Sequence, residues 1–144
     1  MKKRLVIAID FDGTLVEHRY PKIGEEIPFA VDTLKMIQAE GHRLILWSVR
    51  EGSLLDEAVI WCKERGLTFY AVNKNYPEET PEDELYSRKL KADLFIDDRN
   101  VGGLPDWGII FQMISKDKSL QEILLQSMMG EDSQPQKKKW KLWK

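Results

Sequence analysis

Between residues 4 and 9 the chain is almost continuously apolar, with Val6, Ile7 and Ile9, and the run stops abruptly at Asp10. A strand with apolar side chains at consecutive positions buries both of its faces, so it belongs inside a sheet that is covered on each side. The rest of the chain supplies covering helices in alternation with further strands. Pro28 sits where a first helical turn tolerates it, and Phe29, Ala30, Leu34 and Ile37 follow at helical spacing up to Gly41. Residues 43–47 form a second predicted strand. Ser53, with Asp56 three residues on, reads as the cap of a helix carrying Leu54, Leu55, Ala58, Val59 and Cys62 as far as Gly66. Residues 68–72, 93–96 and 108–111 complete the set of five strands, and residues 118–129 form a closing helix. Residues 13–26 read as irregular, and residues 73–84, with two prolines and many acids, as an exposed loop.

Strands that alternate with helices call for a mainly parallel sheet, because parallel neighbours need crossover connections. The expected fold is therefore α/β, a Rossmann-like three-layer α/β/α sandwich around a mainly parallel five-stranded sheet. Residues 1–130 are assigned to one catalytic domain and residues 131–144 to a flexible basic tail.

Composition narrows the setting. No apolar run approaches the roughly 20 residues that span a bilayer, so neither a transmembrane segment nor a signal peptide is expected. A single cysteine, Cys62, cannot close an internal disulfide, and a reducing cytoplasm is the default. The net charge of −2 conceals an asymmetry: five lysines between residues 137 and 144 contribute +5, which leaves the preceding chain at −7. An acidic body is unlike a surface built to hold nucleic acid. The tail interleaves its lysines with Trp140, Leu142 and Trp143, a composition suited to nucleic acid or an anionic surface and equally to a solubilising extension.

Ligands of open parallel sheets bind beyond the carboxyl ends of the strands. Asp10 and Asp12 follow the first strand, Ser48 the second, and Asp97 and Asp98 the fourth, so all five fall on one rim. An Asp-x-Asp pair alone is common in turns. Placed directly after a buried strand and followed by Gly13 and Thr14, it is far more specific. Carboxylates crowded at one rim need a hard divalent cation to hold them together, and an all-oxygen donor set suits Mg2+.

The block Asp10-Phe11-Asp12-Gly13-Thr14, then Ser48, a lysine near residue 89 and Ile96-Asp97-Asp98-Arg99 resemble, in order, the four motifs of the haloacid dehalogenase (HAD) superfamily. The resemblance spans residues 5–111. It is closest to small members of that superfamily and places the motif lysine at Lys89, with Lys91 as the competitor. It implies a Mg2+-dependent phosphomonoesterase in which Asp10 attacks phosphorus and becomes an aspartyl-phosphate, splitting one hard step into two. Asp12 would donate a proton to the leaving oxygen and later take one from water. Ser48 would hydrogen-bond the transferring group and Lys89 would neutralise it. Asp10, Asp97 and the backbone carbonyl of Asp12 would surround the metal, with Asp98 either a further ligand or a support behind them. Phe11, Gly13 and Thr14 would border the phosphate, with Gly13 allowing close backbone approach.

Other residues carry weaker expectations. Arg50 is placed either on an anionic group of the substrate or in solvent, and Arg99 against a nearby acid. His18 and Tyr20 fall where the superfamily has a flap beside its site, and are expected to touch substrate. Trp47, Trp61 and Cys62 are expected in the core.

Larger members of the superfamily carry a cap domain, inserted after the first motif or before the lysine. The corresponding gaps here, residues 14–41 and 73–88, are too short for one, so an open rim is expected. Residues 77–84 could form a miniature lid. An open rim accepts a small phosphorylated metabolite, a phosphate displayed on a macromolecule such as a nucleic-acid end, or closure by a second copy in a homo-oligomer. Two other classes compete. One is a phosphotransferase or mutase, which uses the same nucleophile but excludes water, usually beneath a cap. The other is a non-catalytic binding module acting through its tail.

Overall fold

A computed structural model describes residues 3–133, and the lysine-rich residues 137–144 lie outside them. The chain divides between Trp107 and Gly108 into two compact units.

The first unit is built on a four-stranded parallel sheet. In chain order it contains β1 (Val6–Ile9), β2 (Val16–Arg19), β3 (Lys22–Glu26), α1 (Ala30–Ala39), β4 (Arg43–Leu46), α2 (Gly52–Glu64), β5 (Ala71–Val72) and β6 (Leu94–Ile96). The sheet order is β5-β4-β1-β6, all parallel. From β1 the chain steps to β4 and on to β5 in one direction, then returns to lay β6 against the other side of β1. Such a reversal opens a crevice beyond the carboxyl ends of the two strands that flank it. Here those strands are β1 and β6.

Both faces of β1 are buried, as its unbroken apolar run requires: Ile7 and Ile9 on one side and Ala8 on the other are all within 1% of full burial. Ala8, Ile45, Ala71 and Leu90 form one cluster, with Val6, Trp47, Ala92 and Phe95 packed against it. Helix α1 turns Leu34 and Ile37 inward. It lies beside the end of α2, where the Lys35 ammonium donates to the Arg65 carbonyl at 3.1 Å and the Gln38 amide to the Thr68 carbonyl at 2.8 Å. Cys62 is buried in α2, and Trp61 meets Phe11 edge-to-face at 5.5 Å.

Several elements depart from the sequence reading. The fifth strand is absent among the described residues: the segment containing residues 108–111 is α3 (Trp107–Ser115), and the sheet has four strands. Trp107, Ile110 and Ile114 recur at helical spacing and are all buried, so a period of 3.6 prevails over a short apolar run that fits either state. Residues 13–26 are not irregular, since β2 and β3 pair as an antiparallel hairpin across Tyr20 and Pro21. Phe29 precedes α1 in a left-handed conformation, φ 72°, and is 73% exposed. Glu51, not Ser53, occupies the position before α2. The third strand shrinks to two residues.

The segment from 73 to 93 has no helix or strand, yet it is tied to itself. Buried Glu79 accepts hydrogen bonds from the Asn75 backbone at 2.6 Å and its side-chain amide at 2.9 Å, and the Tyr76 hydroxyl donates to Asp83 at 2.6 Å. Among the described residues, β2 and β3 are the elements between β1 and α1.

The second unit contains the rest of α3 and α4 (Leu120–Ser133), with Ile123 buried. Helix α4 therefore runs into the stretch expected to be a linker. No helix among the described residues is long and apolar enough to cross a membrane.

Candidate functional site

The Asp10 backbone N–H donates to the Ile96 carbonyl at 2.9 Å, carrying the β1–β6 pairing one residue past β1. That bond sets the first motif against the fourth at the crevice. The chain then folds back, with the N–H groups of Thr14 and Leu15 both donating to the Phe11 carbonyl, at 3.1 and 2.9 Å. Gly13 makes this turn at φ 88°, and a Cβ there would collide with the Asp98 carboxylate, so two separate constraints demand glycine.

Oxygen atoms of Asp10, Asp97 and Asp98 lie within 4.8 Å of one another. The Thr14 hydroxyl, fully buried, links two of them: it lies 3.1 Å from Asp10 Oδ2 and 3.3 Å from Asp98 Oδ1, and accepts from the Asp98 N–H at 3.1 Å. Asp97 Oδ1 accepts from the Arg99 N–H at 2.8 Å. Burial pushes the Asp10 carboxyl up to about 7, aided by the charge of Asp97 and a hydrogen bond with Asp98. Negative charge is thus concentrated beyond what the hydrogen bonds relieve. The three carboxylates form an all-oxygen donor set of the kind that could hold a hard cation such as Mg2+.

The Asp12 carboxylate does not join this group. Arg50, fully buried, grips it with two hydrogen bonds, Nε to Oδ2 at 2.7 Å and Nη2 to Oδ1 at 2.8 Å. The same guanidinium donates to the carbonyls of Leu54 at 3.3 Å and Lys22 at 3.1 Å, and lies 5.2 Å from the Phe11 ring and 5.3 Å from that of Tyr20. The hydrogen bonds to Asp12 raise Arg50 above its usual basicity. Every edge of the fork is engaged. Arg50 is therefore not the anion-binding or solvated arginine of the sequence reading but a brace that orients Asp12.

Phe11 needs a similar correction: it is fully buried against Trp61, so its side chain is core and only its backbone borders the site. The Thr14 hydroxyl serves carboxylates. The Ser48 hydroxyl accepts the Arg50 N–H at 3.1 Å, shaping the turn that delivers Arg50. Asn73, which the sequence reading passed over, holds this turn from β5, its Oδ1 accepting the Ser48 N–H at 2.8 Å. Its φ of 56° is one that Asn tolerates better than most residues, which was the only signal in the sequence.

Lys89 and Lys91 make different contacts. The Lys91 ammonium donates to the Leu85 carbonyl at 2.7 Å. The Lys89 ammonium lies 5.4 Å from the centre of the Phe95 ring. Phe95 pairs with Ala8 and lies two residues before Asp97, and neither lysine lines the cavity over the rim.

A cavity of about 250 Å3 opens over the rim, lined by Asp10, Asp12, Asp97, Val49, Arg99, and His18 and Tyr20 of the β2–β3 hairpin. His18 and Tyr20 thus fall where substrate contacts were expected, and exposed Val49 joins them unforeseen. No residue of the 77–84 loop lines the cavity.

These features define an α/β protein with a carboxylate-rich rim at the reversal point of a parallel sheet. The structure of a conserved protein from Bacteroides thetaiotaomicron matches it with a TM-score of 0.80 and 69% sequence identity, over 84% of this chain and 98% of that one. The chain belongs to the same family as that protein. Neither a protein-family model nor a curated protein matches it.

Proposed function

We propose that this chain is a Mg2+-dependent phosphomonoesterase of the HAD type, acting through an aspartyl-phosphate on Asp10. The observation that carries the reading is the convergence of Asp10, Asp97 and Asp98 at the β1–β6 crevice, with Asp12 facing the same cavity on a rigid support.

Asp10, Asp97 and Asp98 would hold the cation, with the Asp12 carbonyl as a further donor. When bound, Mg2+ would offset the carboxylate charge and that of the phosphate. Asp10 then acts as nucleophile towards phosphorus, forming an Asp10–O–P bond as the ester oxygen departs. Asp12 supplies the proton that the departing oxygen needs and recovers one from the water that cleaves the aspartyl-phosphate. Its bidentate contact with Arg50 fixes the plane of the group; that contact is made to the carboxylate, so the proton-donating step would require one of the two Arg50 bonds to open. Lys89, whose ammonium lies over the Phe95 ring, is the lysine that would neutralise the phosphoryl group. Ser48 acts mainly by positioning the turn to Arg50. A single free cysteine, buried and pushed up to about 12 by desolvation, is in keeping with the proposed cytoplasmic setting.

The test is Mg2+-dependent phosphate release from a panel of small phosphate esters, with Asp10→Asn as the control. Turnover should appear in the wild type and fall at least 1,000-fold in the variant, since no other carboxylate replaces the nucleophile. Undiminished turnover in Asp10→Asn would sink the reading.

A further inference from the structure

Two arginines stand at this site in opposite conditions. Arg50 is buried and fully engaged. Arg99 is exposed on the cavity wall, and although Asp10, Asp12 and Asp97 line the same cavity, no carboxylate among the described residues lies within ion-pair distance of its guanidinium. Its side chain has one polar neighbour of note, His18 Nε2 at 3.5 Å, reached from the β2–β3 hairpin. Its backbone N–H is fixed to Asp97, which anchors the residue beside the carboxylate group while the side chain remains available. The expected acid partner is therefore missing, in surroundings rich in acids.

We propose that Arg99, with His18, forms a second anion subsite, so that the preferred substrate is a small phosphate ester carrying a further carboxylate or phosphate group. This rests on the phosphatase reading for the identity of the first group. A guanidinium recognises such anions with paired donors in a fixed plane. The cavity lining holds two kinds of group: the carboxylates Asp10, Asp12 and Asp97, of which Asp10 and Asp97 would with a cation take the transferring phosphate, and Arg99 with His18. Tyr20 and Val49 complete the lining. The cavity volume of about 250 Å3 lies just below the roughly 300–1,000 Å3 of usual small-molecule sites, so one compact molecule must meet both sets of groups. Arg99 is thus assigned specificity and Lys89 the transferring group.

The experiment compares two non-hydrolysable ligands, 3-phosphonopropionate and propylphosphonate, which differ in one terminal carboxylate. Their affinities for the Mg2+-loaded full chain are measured by calorimetric titration for wild type, Arg99→Gln and Arg99→Lys. The wild type should bind the carboxylate-bearing ligand at least 10-fold more tightly. Arg99→Gln should bring the two affinities within about 2-fold while leaving propylphosphonate unchanged, and Arg99→Lys should retain part of the preference. No preference in the wild type overturns the proposal. So does an equal loss for both ligands in Arg99→Gln, which would put the guanidinium on the phosphonate. Because neither ligand turns over, the result is independent of catalysis. A preference in a chain that hydrolyses no ester would remove the phosphatase reading and keep the subsite, whereas hydrolysis without a preference would do the reverse.

Discussion

Asp12 is 7% exposed and its countercharge is fully buried, so the Arg50–Asp12 pair is a different object from a surface ion pair. Removing one partner leaves a charge that neither water nor protein satisfies, a loss on the order of 3 kcal/mol. Arg50→Met should lower the urea midpoint accordingly, and pairing it with Asp12→Leu should recover most of the loss, since that removes the stranded charge; failure of the double variant to recover would deny the pair this role. Asp10 makes a prediction of opposite sign. Its folded carboxyl titrates near 7 against 3.8 for the ordinary group, so in metal-free protein the folded state holds the proton more tightly. The resulting stability is complete below about pH 3.8 and lost as pH rises through about 7. At pH 8 with chelator, Asp10→Asn should therefore be more stable than wild type, by roughly 1–2 kcal/mol after solvent screening at a half-buried rim. Urea titrations between pH 5 and 8 should also show a shallower pH slope in the variant. An Asp10→Asn chain no more stable than wild type at pH 8 would contradict this.

At the scale of elements, the β2–β3 hairpin brings His18 and Tyr20 to the cavity, and its register depends on Gly24. A Cβ at that position would collide with the Glu17 backbone carbonyl of the facing strand, which cannot move aside as a side chain can. Gly24→Ala should displace the hairpin while leaving the parallel sheet intact. Phosphate-release kinetics should then show KM rising about 10-fold or more, with a urea midpoint lowered by about 1–2 kcal/mol. An unchanged KM would mean that the hairpin does not help to bind substrate. This element was hidden in the sequence because its strands alternate weakly: Glu17, His18 and Arg19 are all exposed. The alternation of β1, α1, β4 and α2 was legible because each buries a regular apolar pattern. Residues 108–111 were misassigned because a four-residue apolar run has no period long enough to separate strand from helix.

For the molecule as a whole, a cation that binds the folded chain and not the unfolded one must stabilise it by mass action, about 2.7 kcal/mol at 100 times the dissociation constant. Mg2+ should raise the thermal midpoint of the wild type, and Asp97→Asn should remove most of the increase; an equal rise in both would place the ion elsewhere. The sheet reversal explains why so few residues can assemble such a centre: Asp10 and Asp97 end neighbouring parallel strands, so one backbone bond from Asp10 to Ile96 aligns them.

What the sequence by itself determined is whatever follows from residues close together in the chain. A buried strand ending in Asp10-Phe11-Asp12-Gly13-Thr14, and a second ending in Asp97-Asp98, already placed the carboxylates on one rim, because strand ends of a parallel sheet share a side. Only the tertiary structure decided how these groups are partnered. Arg50 reaches Asp12 across 38 residues, and Thr14 joins Asp98 across 84. Local pattern carries no information about such pairings, since a guanidinium in a turn looks alike whether it meets a carboxylate, a substrate or water. The same holds for the contrast between Arg50 and Arg99. Burial made one a structural brace and left the other facing the cavity, and burial is a property of the packed chain.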